Sequence, residues 1–145
     1  MILVDANLLL YAYGSRSPHH AAARRWVEEA FSGAEPVGIP WMTALAFLRI
    51  STNPRMSGSV LSIAEAVSIV REWFARPNVV VVHPSDRHWE VLERLLIDGQ
   101  VRGPLVSDAH VAALAIEHGA TLFSSDRDFT RFGGLDLVNP LNADG

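Results

Sequence analysis

Short apolar runs alternate along this chain with longer stretches of helical periodicity. The runs Ile2–Val4, Val37–Ile39, Val79–Val82, Thr121–Phe123 and Leu135–Val138 are brief and mostly β-branched or leucine-rich. Strands buried on both faces of a parallel sheet read this way. Between them, polar and apolar residues recur at helical spacing. A short turn covers about Asn7–Tyr13, and a helix follows Ser17, with Pro18 at a first-helical position, running to Phe31 before Gly33. Trp41–Ser51 forms the next helix, opened by Pro40 and ended by Asn53-Pro54. Ser62–Ala75 carries a capping-box pattern, Ser62 with Glu65. Asp86–Asp98 ends at Gly99, and Asp108–His118 ends at Gly119 with Ser107 as its N-cap. This alternation predicts an α/β fold, a three-layer α/β/α domain around a mostly parallel sheet of four to five strands. Right-handed crossovers bring all strand C-termini to one edge, and ligands bind beyond that edge.

Composition narrows the class. The 145 residues suit a single domain, 1–145, and 49% apolar against 19% charged residues marks an ordered globular chain. Cysteine is absent, so neither a disulfide framework nor a thiolate metal site is available. The first residues lack the basic segment of a signal peptide, and no apolar run approaches a membrane span. A soluble, cytoplasmic protein without membrane contact is expected. The net charge of −4 excludes a generic cationic binder of polyanions, and all 12 basic residues are Arg. Of these, Arg49, Arg55, Arg127 and Arg131 are candidates for a local nucleic-acid contact, although any one of them also suits a solvated face.

Acidic residues carry the chemistry. Asp5 closes the first strand, Asp108 opens a helix, and Asp126 and Asp128 follow the strand Thr121–Phe123. The expected topology brings these distant segments to one rim. Carboxylates gathered there repel one another unless a hard cation joins them. Mg²⁺, with Mn²⁺ as a substitute, suits such oxygen ligands and supports phosphate chemistry. Asp5, Asp108 and Asp126 are the expected metal ligands. Asp128 is expected to bind a second ion, hold a metal water or act as base, and Asn7 and Ser125 to orient ligands. Each acid also has a purely local explanation: a turn acceptor at Asp5, a helix cap at Asp108, turn chemistry at Asp126 and Asp128. Their joint placement favours the metal. The six His have no zinc-like spacing and read as structural or surface groups, and the four Trp as packing residues. Gly-x-Ser-x-Gly, Gly-x-Gly-x-x-Gly and P-loop patterns are all missing.

Two blocks resemble a known family. Met1-Ile-Leu-Val-Asp-Ala-Asn-Leu-Leu-Leu-Tyr-Ala resembles the opening of PIN-domain proteins, and Val106 through Phe129, ending Ser-Ser-Asp-Arg-Asp-Phe, resembles their second acidic block. The nearest likeness is to VapC-type toxins of bacterial toxin–antitoxin systems. That resemblance implies a Mg²⁺-dependent endoribonuclease cleaving RNA, held in check by a cognate VapB-like antitoxin and commonly a homodimer. It implies acidic positions at Asp5, Asp108, Asp126 and Asp128, with Ser125 as the Ser/Thr before the late pair. The family's further Glu, on the helix after the second strand, falls at Phe47 in the run Ala46-Phe47-Leu48-Arg49, which puts two-metal catalysis in doubt. A degenerate PIN domain that binds RNA or a protein partner without cleavage is the alternative. A DNA or flap nuclease and a receiver-like domain are further readings; the latter usually needs a Lys, which this chain lacks.

Overall fold

The computed structural model describes residues 1–56 and 60–142. Five strands, β1 (Ile2–Val4), β2 (Val37–Pro40), β3 (Val79–Val82), β4 (Thr121–Phe123) and β5 (Asp136–Val138), pair in parallel in the order β3-β2-β1-β4-β5. The chain thus builds outward from β1 to β3, then returns to the other side of β1 for β4 and β5. The direction of winding reverses between β1 and β4, which makes that junction the crevice of the sheet.

Helices α1 (Ala6–Tyr13), α2 (His20–Phe31), α3 (Trp41–Ser51) and α4 (Ile63–Ala75) cover one face, and α5 (His88–Asp98) and α6 (Leu105–Glu117) the other. The strands feed both layers by alternation. Val4, Val37, Ile39 and Val79 pack with Leu8, Val27, Phe47 and Trp73, whereas Leu3, Val82 and Leu122 pack with Val91, Leu95, Leu114 and Phe129. Gly38 is demanded by this packing: a Cβ there would lie 2.5 Å from Val82 Cγ2 and 2.9 Å from Leu3 Cδ1. Among the described residues, no helix is long and apolar enough to cross a membrane.

The expected three-layer architecture is present, and helix starts are where it departs from the sequence reading. The helix expected from Pro18 begins at His20, because Ser17 Oγ accepts the His19 N–H at 3.1 Å and keeps that segment in a turn. The helix expected from Asp86 begins at His88, after a matching turn in which Ser85 Oγ accepts the Arg87 N–H at 3.2 Å. Helix α6 begins at Leu105, so Ser107 is not its cap and Asp108 lies inside its first turn. Pro104, with its φ of −59°, sets up that earlier start. The Ser62–Glu65 capping box on α4 is present as expected, and Gly119, at φ +62°, follows the end of α6.

Two side-chain expectations sharpen. Glu117, its side chain shielded from solvent, accepts the Ser85 N–H at 2.6 Å and meets His88 Nδ1 at 2.7 Å, while His88 Nε2 lies 2.9 Å from His110 Nδ1. These histidines are structural and half-buried, fastening the start of α5 to α6. Of the tryptophans, Trp73 is buried and Trp26 stacks on Phe123, but Trp41 and Trp89 are exposed.

Candidate metal centre

The crevice between β1 and β4 is where the carboxylates meet. The ladder continues just past both strands: the Asp5 N–H donates to the Phe123 carbonyl at 3.0 Å, and the Ser124 N–H to the Val138 carbonyl at 3.0 Å. Thr43, at the start of α3, donates its hydroxyl to the Val4 carbonyl at 3.0 Å. The backbone on either side of Asp5 is therefore held from two elements. Its side chain is held as firmly. Oδ1 accepts the Ala6 N–H at 2.8 Å, capping α1, and Oδ2 accepts the Ser124 hydroxyl at 2.6 Å.

Ser124 is the hinge pin of the site. It is buried, and while donating to Asp5 it accepts the Asp126 N–H at 3.0 Å. Asp126 in turn accepts the Asp128 N–H on Oδ1 at 2.9 Å, capping the 3-10 helix Arg127–Arg131. One chain of hydrogen bonds thus runs from β1 to the loop beyond β4. The serine expected to orient the acids was Ser125; the bond to Asp5 comes from its neighbour. The missed signal is alternation, since residue 124 continues the inward parity of Leu122.

Asp108 closes the group from α6. One oxygen each of Asp108, Asp126 and Asp128 fall within 4.8 Å of one another. Asp5 lies outside that trio, and its charge acts on Asp108. Burial, followed by the negative charges of Asp126, Asp5 and Asp128, raises the Asp108 pKa to about 6, with Arg131 opposing. Burial likewise raises Asp5, against the hydrogen bonds from Ser124 and Ala6. Asn7, on the first turn of α1, has its Oδ1 buried without a hydrogen-bond partner among the described residues.

The donor set suits a hard divalent cation. It is all oxygen and it is anionic, and the neighbouring carboxylates oppose the ionisation of Asp108. Phe47, where the resemblance puts the family's further Glu, is fully buried, with ring centroids 4.7 Å from Trp73 and 5.7 Å from Tyr13. A side chain at position 47 therefore belongs to the core under α3 rather than to the carboxylate rim. It is Thr43, on the first turn of α3, that bonds to the strand beside Asp5, at the Val4 carbonyl.

Comparison with known proteins places the chain in a family. The PIN domain family model matches residues 2–135. Ribonuclease VapC37 of Mycobacterium tuberculosis is 44% identical over 140 residues, which cover 97% of each chain. Ribonuclease VapC33 of the same organism is 37% identical over 141 residues, 97% of this chain and 99% of its own. Among solved structures, M. tuberculosis VapC20, a sarcin-ricin loop cleaving toxin, matches with a TM-score of 0.67 at 19% identity, covering 94% of this chain and 99% of that one. VapBC2 of Rickettsia felis, bound to a DNA fragment from its promoter, matches at 0.66 and 19% identity over 96% and 98%. At such identities the structural matches speak for the fold alone.

Proposed function

Given that the chain belongs to the PIN-domain family, we propose that it is a metal-dependent endoribonuclease and the toxin of a type II toxin–antitoxin pair. The observation that carries this reading is the convergence of Asp108, Asp126 and Asp128 within 4.8 Å, with Asp5 tied alongside through Ser124. The relatives named as VapC ribonucleases support the substrate class, RNA, and the toxin role.

In this reading Asp108, Asp126 and Asp128 hold a Mg²⁺ ion, or Mn²⁺ in its place, and Asp5 joins through its remaining lone pairs or a water. Bound there, the cation supplies Lewis acidity toward a phosphoryl oxygen and lowers the pKa of a coordinated water. Ser124 fixes the Asp5 carboxylate so that its free lone pairs face the crevice. Asn7 Oδ1, which has no partner among the described residues, orients a water at the site. Asp128, the most exposed of the trio, positions the attacking water and takes its proton for in-line displacement at the RNA phosphodiester. A VapB-like antitoxin is the partner, and an apolar face is available for it. Trp41, Met42 and Leu45 on α3 and Ile63 and Val67 on α4 all lie exposed. Homodimerisation in the cytoplasm is part of the same proposal.

The test compares cleavage of matched single-stranded RNA and DNA with Mg²⁺ and with EDTA. RNA cleavage that requires the metal, and that is lost in Asp5→Asn and Asp108→Asn, is the expected result. Undiminished cleavage in EDTA, or by both variants, would overturn the assignment. One feature favours the rival, a PIN domain that binds without cleaving: α3 carries no carboxylate at all. Folded protein that binds RNA yet leaves it intact at millimolar Mg²⁺ would decide for it.

A further inference from the structure

We propose that Arg131 is a substrate contact, its guanidinium receiving a phosphate of the RNA strand that lies across the carboxylate rim. This rests on the ribonuclease reading and assigns one residue to it. The geometry starts from the 3-10 helix Arg127–Arg131. In such a helix residues i and i+3 eclipse one another, so Asp128 and Arg131 project from one ridge. Asp128 reaches the trio of converging acids, so the Arg131 stem rises from the same rim.

That arginine is nonetheless not spent on a carboxylate. Its Nη1 donates to the Gly99 carbonyl at 3.2 Å, beyond the end of α5. The ion pairs among the described residues are Arg24–Glu28 and His88–Glu117, neither of which involves it. Arg131 is exposed, so one N–H of its fork is anchored and the others face solvent. Its positive charge still reaches Asp108, opposing the acids around that carboxylate.

The chemistry follows from charge. The chain is net negative, and Asp5, Asp108, Asp126 and Asp128 gather where a polyanion must approach. A cation held by Asp108, Asp126 and Asp128 would offset their charge for one phosphate only, and the next phosphate along the strand would still meet a negative rim. A guanidinium tethered beside them matches that phosphate bidentately and loses little freedom on binding. Arg127 lies on the neighbouring ridge, in line with Thr130, and lacks this placement.

Binding of a labelled single-stranded RNA to the full-length chain tests the assignment, with Asp108→Asn as the cleavage-silent parent. Adding Arg131→Ala should weaken binding about tenfold. It should also reduce the slope of log affinity against log salt by about one. Arg131→Lys should keep the slope but not the full affinity, and Arg127→Ala should leave both unchanged. Thermal melting of each variant separates loss of contact from loss of fold. A lowered melting temperature with an unchanged salt slope would mean that Arg131 serves only the Gly99 anchor, and the inference would fall. Equal losses at Arg127 and Arg131 would overturn it as well. If wild type cleaves RNA and the parent binds it, but Arg131→Ala binds equally well, only this assignment fails. If the parent binds no RNA and wild type cleaves none, the ribonuclease reading fails with it.

Discussion

Asp108 is where the fold opposes its own charge. Its pKa rises from 3.8 to about 6, chiefly through burial and then through Asp126, Asp5 and Asp128. An acid whose folded pKa is raised favours the folded state while protonated. That contribution is complete below pH 3.8 and is lost as pH climbs through about 6. In EDTA, the melting temperature of the wild type should therefore sag across this window, and the raised Asp5 pushes the same way. Asp108→Asn carries no charge to suppress, so it should melt higher than wild type at neutral pH and show a flatter profile. Melts recorded by circular dichroism at stepped pH check this, and coincident profiles would refute it. Ser124 makes the opposite contribution, since its hydroxyl satisfies Asp5 and the Asp126 N–H together. Ser124→Ala leaves both half-buried partners short and should cost about 1–3 kcal/mol of stability. Urea unfolding measures that loss. Cleavage should drop in the same variant, because Asp5 no longer has a fixed rotamer.

At the scale of the element, periodicity served the sequence reading well and local capping served it unevenly. All five strands and the longer helices follow from short β-branched runs and helical spacing, which depend on burial alone. Helix starts depend on which hydroxyl captures which N–H, and Ser17 and Ser85 sit in turns that look like helix entries in one dimension. At α6 the same ambiguity made Asp108 look like a cap. Gathering the acids needed only topology, so the rim was legible. Which oxygen meets which depends on side-chain direction, so Asp128 in the trio and Ser124 in place of Ser125 were not. Phe47 illustrates the limit: the resemblance puts an acid at its position, whereas the packing of α3 gives it a core position. Phe47→Glu should thus not add a ligand. It should bury a carboxylate against Trp73 and Tyr13 and unfold the chain, whereas Ser62→Ala should cost only about 1 kcal/mol and leave cleavage intact. Soluble yield and chemical denaturation of the two variants report the contrast; a stable, cleaving Phe47→Glu would show that this side chain reaches the rim after all.

Across the whole molecule, the sheet spends its single change of winding on the junction that collects negative charge. β1 and β4 are neighbours in space although Val4 and Thr121 are far apart in sequence, so the chain must fold before Asp5 and Ser124 can meet. A cation that binds this junction consequently binds the folded state and not the unfolded one. Mass action then converts occupancy into stability, about 2.7 kcal/mol when the free ion is a hundredfold above its dissociation constant. The proton is its competitor, because Asp108 must ionise to serve as a ligand and does so only as pH passes about 6. Millimolar Mg²⁺ should therefore raise the melting temperature strongly at pH 8 and little at pH 5. The shift should vanish in a variant carrying Asp108→Asn with Asp126→Asn. Differential scanning fluorimetry across Mg²⁺ concentration and pH reads both dependences in one experiment. A melting temperature indifferent to Mg²⁺ at pH 8 would mean that the carboxylates tolerate one another unaided, and the physical basis for a metal centre at this junction would be gone.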